Sequence, residues 1–117
     1  MPILSLRGIF PPLPTSFDSD ESLLPEKIRS NIERLSRYDL AGFLILGSNG
    51  EQVMLSESEK IKAIAAARGA LPEGRILLAG TGCQSTRETI ALTRAAANEG
   101  VHAVLVINPS YYRGNMN

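Results

Sequence analysis

A short turn, Gly47-Ser48-Asn49-Gly50-Glu51, has the residue types needed to hold a small carboxylate, and it directly follows an apolar run. Glycines at 47 and 50 let a backbone turn sharply, so that N–H groups face the space above a sheet. Ser48 and Asn49 add side-chain donors. Several charge-assisted hydrogen bonds, each roughly twice as strong as a neutral one, would then converge on one anion. An ordinary Gly/Asn turn between strand and helix accounts for the same residues, and the chemistry alone does not separate the two. The second candidate is the pair Tyr111-Tyr112, just past another apolar run. A tyrosine hydroxyl there can relay a proton or orient a substrate. The plain alternative is an aromatic pair that packs a loop or a subunit contact.

Other chemistry is poorly supported. Gly80-Thr81-Gly82-Cys83-Gln84-Ser85 follows an apolar run and opens a helical pattern, as a dinucleotide-binding loop would. Its third position is Ser85 rather than Gly or Ala, and the next strand ends in Asn108 where a ribose would want an acidic group. A tight loop capped by Ser85 is the preferred reading. His102 starts an apolar run, at the end of a strand remote from the loops that carry chemistry. Cys83 has no histidine near it in sequence, and one His with one Cys makes no metal-ligand set. A Schiff-base lysine would be buried, with its pKa lowered by a few units from about 10.4. Lys27, Lys60 and Lys62 all fall in helical patterns, off the apolar stripes, as solvated charges do.

The composition narrows the classes. Twelve basic and twelve acidic residues cancel, leaving no basic stripe for nucleic acid. No apolar run reaches the ~18 residues of a membrane span. Met1 to Arg7 is too short and too weakly charged for a signal peptide. A single cysteine excludes an internal disulfide and fits a reducing cytosol, so a cytoplasmic location is expected. No cofactor and no metal is called for.

The elements that must position these residues recur regularly. Continuous apolar runs lie at 41–46, 76–79 and 103–107, as in strands buried on both faces of a parallel sheet. A weaker first strand starts near Gly8-Ile9-Phe10 and is cut short by Pro11, Pro12 and Pro14. Between the runs lie helical patterns. Pro25 suits a first helical position, with Ile28, Ile32 and Leu35 on one face. Ser56 to Glu59 has capping-box spacing and leads into Ile61, Ile64 and Ala65; Ser85 to Glu88 repeats it and leads into Ile90, Thr93 and Ala97. Gly100 closes the last helix. The predicted order is βαβαβαβ, an α/β chain with parallel strands over residues 1–117 as one domain. Two closures remain open: half of an eight-stranded barrel, which usually needs about 250 residues, or a small doubly wound sheet.

The whole chain resembles the first half of the dihydrodipicolinate synthase / N-acetylneuraminate lyase family. The residues that carry the likeness are Gly8-Ile9-Phe10-Pro11-Pro12 with Pro14-Thr15-Ser16-Phe17, Gly47-Ser48-Asn49-Gly50-Glu51, Ala79-Gly80-Thr81-Gly82 and Pro109-Ser110-Tyr111-Tyr112. Ser48-Asn49, Gln84 to Thr89 and Tyr112-Arg113-Gly114 look more like its 4-hydroxy-2-oxoglutarate and 2-keto-3-deoxy sugar acid aldolase branches. The resemblance implies a (β/α)8 barrel, present here as a partial barrel, acting on pyruvate or another 2-oxo acid through a lysine Schiff base. It implies that Ser48 belongs to a proton relay and that Ser48 and Asn49, with the Gly47 to Gly50 backbone, hold the 2-oxo acid carboxylate. Tyr112 would reach across a tight dimer into the neighbouring relay, so a homo-oligomer is expected of the full-length protein. The lysine, the acid/base tyrosine and the specificity residues would lie past residue 117. This chain alone is then expected to be inactive, or to serve as a half-barrel that binds carboxylates or pairs with a partner.

Overall fold

The computed structural model describes residues 3–112 and 114; Arg113 of the Tyr112-Arg113-Gly114 motif lies outside the described residues. Three strands, β1 (Gly42–Ile45), β2 (Ile76–Gly80) and β3 (Ala103–Leu105), form a parallel sheet in the order β1-β2-β3. Helices α1 (Pro25–Leu35), α2 (Glu57–Ala70) and α3 (Thr86–Asn98) alternate with them. The registers Ile45↔Ala79↔Val104 and Leu44↔Leu78↔Ala103 give each face one row of side chains.

The two rows are treated differently. Phe43, Ile45, Leu77 and Ala79 are buried with Ile28 and Ile32 of α1, Ala63 and Ile64 of α2 and Ala96 of α3. Leu44 and Leu78, on the opposite face, are half-buried, and Leu105 is 49% exposed. Strands that follow one another without a reversal of order, with the helices on one face, describe an arc of a barrel rather than a doubly wound sheet.

The first strand differs from expectation. Residues 8–13 run beside β1 but make only an isolated parallel bridge, Pro12↔Leu44. Three bonds tie them there: Ala41 N–H to the Ile9 carbonyl, Leu44 N–H to the Pro11 carbonyl, and Leu13 N–H to the Leu44 carbonyl. Pro11 and Pro12 accept but cannot donate, so no regular ladder forms.

Helix ends follow local chemistry. Pro25 opens α1 at its first turn. Ser56 forms a complete capping box: its side chain accepts from Glu59 N–H at 3.3 Å, and the Glu59 carboxylate accepts from Ser56 N–H at 2.7 Å. At α3 the box is only half made. Ser85 accepts from Glu88 N–H, while the Glu88 carboxylate takes the Ser85 hydroxyl instead of its N–H. Gly100 adopts the left-handed conformation at φ 93°.

The buried helix faces need correction in two places. Helix α3 buries Leu92 and Ala96, whereas Ile90 and Ala97 are exposed; α2 buries Ala63, Ile64, Ala66 and Ala67, and Ala65 faces out. In both, alanines share the buried stripe, and an alanine carries too little apolar signal to be ranked above a neighbouring isoleucine from sequence.

Candidate active site

The chain leaves β1 abruptly. Leu46 takes a left-handed φ of 61° and is buried, and a 3₁₀ turn follows over Ser48–Gly50. Glu51 is left-handed at φ 54°, and a second 3₁₀ turn spans Gln52–Met54. The strained positions are therefore Leu46 and Glu51, not the two glycines. Gly47 has an extended φ of −77°. Gly50 is crowded instead: a Cβ there would come within 3.1 Å of the Leu13 carbonyl oxygen.

This turn stands at the carboxyl end of β1, beside the carboxyl ends of β2 and β3. The three ends enclose a cleft of about 170 Å³. Leu46, Val53, Leu105 and Ile107 supply apolar walls, and Gly47, Ser48, Glu51 and Gln52 supply the polar side. Ser48 is exposed to this cleft. Asn49 is exposed and Gly50 buried, and neither lines it. The first bonds of the turn run from Gly50 N–H to the Gly47 carbonyl and from Glu51 N–H to the Ser48 carbonyl. Ser48 and Asn49 precede them, so their N–H groups have no acceptor within the turn. The Ser48 hydroxyl in this apolar recess, beside a turn whose first two N–H groups have no acceptor within it, can bind a small anion whose remainder is apolar.

The tyrosine pair lies elsewhere. Tyr111 and Tyr112 are 79% and 86% exposed, edge to face at 5.0 Å, and line an open cleft with Gln84, Ser85 and Glu88. Tyr111 N–H donates to Gln84 Oε1 at 3.3 Å. Ser48 and Tyr112 are thus not brought together within one copy of the chain.

The remaining candidates have structural partners. His102 pairs with Leu77 twice: its N–H donates to the Leu77 carbonyl at 2.9 Å, and its Nδ1 accepts from Leu77 N–H at 3.0 Å. The ring extends the β2–β3 ladder, at the end of the sheet away from the cleft. Lys27 and Lys62 are exposed on α1 and α2, and Lys60 is half-buried on α2, outside the Ser48 cleft. Among the described residues no cluster of three His, Cys, Asp or Glu could hold a metal ion, and no helix is long and apolar enough to cross a membrane.

Sequence reasoning passed over three buried polar residues that shape the site. Thr15 donates its hydroxyl to the Gly50 carbonyl, Gln52 donates through Nε2 to the Gly82 carbonyl at 2.9 Å, and the Thr81 and Thr93 hydroxyls meet at 2.8 Å. The one available signal was position: Thr15, Gln52 and Thr81 each lie in or next to a quoted motif.

A parallel βα arc whose strand ends converge on a carboxylate-sized cleft defines a barrel-type α/β protein with its site at the carboxyl face. Comparison with known proteins narrows this. The model of the Dihydrodipicolinate synthetase family matches residues 5–117, and the chain belongs to this family. It is 40% identical over 111 residues to the 4-hydroxy-tetrahydrodipicolinate synthase of Methanothrix thermoacetophila, covering 93% of this chain and 36% of that protein. It is 39% identical over 119 residues to the L-threo-3-deoxy-hexylosonate aldolase of Aspergillus niger, covering 97% and 36%. Among solved structures, a prophage protein of the dihydrodipicolinic acid synthase family from E. coli K12, in complex with pyruvate, superposes with a TM-score of 0.88 at 32% identity. That match covers 94% of this chain and 37% of the other. The chain therefore spans about a third of the length of its relatives.

Proposed function

We infer that this chain contributes the carboxylate-holding part of a Schiff-base-forming lyase or aldolase that acts on pyruvate or a related 2-oxo acid. The observation that carries this reading is the Ser48 turn. It places the Ser48 hydroxyl at an apolar cleft where three parallel strands end, and its first two N–H groups have no acceptor within the turn. Ser48 and Asn49 bind the substrate carboxylate, and Ser48 also passes a proton. Tyr112, exposed on one copy, completes the relay of a neighbouring copy in a homo-oligomer. The pyruvate bound in the E. coli K12 relative and the sugar-acid aldolase from Aspergillus niger support the substrate class.

The Schiff-base lysine is not among the lysines of this chain. Lys27, Lys60 and Lys62 are all helical, and none faces the cleft. Incubation with pyruvate and borohydride, followed by mass spectrometry, is expected to give no specific adduct on the 117-residue chain. A pyruvyl adduct on any one of the three would overturn this assignment.

A second reading is a non-catalytic half-barrel that binds carboxylates or pairs with another chain. That no lysine lines the Ser48 cleft favours it. The intact mass of the native protein discriminates: 12.6 kDa supports the half-barrel, and more than twice that supports the enzyme.

A further inference from the structure

The Ser48–Gly50 turn has little support of its own. It contains only two ladder bonds, and it runs directly into Glu51, whose left-handed backbone is strained for a residue with a Cβ. Such a conformation persists only when its surroundings hold it. Two side chains do so, one distant in sequence and one just past the turn. Thr15 and Gln52 are each 7% exposed although polar. Thr15 fastens Gly50 from the segment before α1, and Gln52 fastens the far side of the turn to Gly82, in the loop after β2. That loop is itself tied to β3, because Thr81 N–H donates to the Leu105 carbonyl at 3.1 Å. The segment before α1 and the ends of the three strands are thereby joined in one line of hydrogen bonds. A buried amide that lost the Gly82 carbonyl would leave two polar groups unpaired, so the bond selects one position for the turn.

We propose that Gln52 is a positioning residue for this site: its amide, fastened to the Gly82 carbonyl, holds the Ser48–Gly50 turn where its hydroxyl and N–H groups can meet a carboxylate. The proposal rests on the carboxylate reading of the cleft. Glutamine suits the task because its amide reaches across the gap as a neutral donor. A charged side chain in its place would sit beside the bound anion.

Hydrogen–deuterium exchange with mass spectrometry, read on a fragment spanning residues 44–55 of the 117-residue chain with and without pyruvate, tests it. Gln52→Met keeps the length and volume and removes the donor. It is expected to speed exchange of that fragment without changing α2, and to raise the pyruvate concentration needed for half-maximal protection about tenfold, the equivalent of about 1.4 kcal/mol. Unchanged exchange and unchanged pyruvate protection would overturn the proposal. If wild type gains no protection from pyruvate, the carboxylate reading fails. The ligand-free comparison then decides alone: faster exchange keeps Gln52 as the clamp of the turn, and unchanged exchange removes it. Should Gln52→Met lose protection throughout the chain, Gln52→Glu replaces it, since it keeps the shape and turns the donor into an acceptor; it is expected to give the same local loosening, and its absence would overturn the proposal.

Discussion

Gly80→Ala is the sharpest test of how the sheet fixes the site. Gly80 ends β2, and a Cβ there would stand 2.0 Å from the Leu46 carbonyl oxygen and 2.8 Å from its carbon. Real Cβ atoms essentially never approach within 3.0 Å, so the backbones must part by about 1 Å, and neither contact is a flexible side chain that could swing aside. Overpacking a core costs about 1–3 kcal/mol, and a backbone collision belongs at the upper end. With a urea slope of about 1–3 kcal/mol per molar, a loss near 3 kcal/mol lowers the unfolding midpoint by about 1–3 M. That is a large share of the ~5–15 kcal/mol that holds a typical domain. The displaced residue is Leu46, two positions before Ser48, so pyruvate protection of the turn should fall as well. Gly69→Ala is the control. Gly69 lies inside α2 with nothing within 4 Å of the added carbon, so the change should stabilise by about 0.5–1 kcal/mol. A midpoint for Gly80→Ala equal to wild type, with amide protection in β1 and β2 intact, would refute the packing argument.

Three further outcomes are expected. The 117-residue chain should self-associate in light scattering, because Leu105, Val106 and Ile107 are 49–59% exposed beside an edge of β3 that has no partner strand among the described residues; a monomer with strong amide protection in β3 would show that three strands suffice. Ser56→Ala removes the complete capping box and should lower stability by about 1 kcal/mol in urea unfolding, whereas a change below a few tenths would mean that packing alone holds the start of α2. In a longer protein containing this chain, Ser48→Ala and Tyr112→Phe should each reduce turnover by about 10²–10⁴-fold. Asn49→Ala should mainly raise KM, and unchanged kinetics in all three would return the turn and the tyrosine pair to packing roles.

Much of the arrangement was legible from the residues. Periodicity placed the three strands and the three helices, because continuous apolar runs and 3.6-residue stripes report burial on two faces or one. Capping residues located helix starts, since Ser56, Ser85 and Pro25 act through bonds or dihedral limits a few positions away. The family motifs marked the turn at Ser48. What the sequence could not decide depends on contacts between distant positions. The buried stripe of α3 passes through Leu92 and Ala96 rather than Ile90 because the sheet, not the apolar content of α3, sets which side faces in. Val104 lies in register with Ala79 on the helix side, and Leu46 is rolled into the core by its left-handed backbone, so neither belongs to the half-exposed row of Leu44 and Leu78. The strain falls on Leu46 and Glu51 rather than on Gly47 and Gly50, because the glycines answer to crowding by Leu44 and Leu13. The clamps from Thr15 and Gln52 span 35 and 30 positions, and no local pattern encodes a hydrogen bond of that reach. Residue types and short spacings determined the elements and the chemistry on offer; only the folded sheet, by choosing which distant carbonyls each side chain could reach, decided how the site is held.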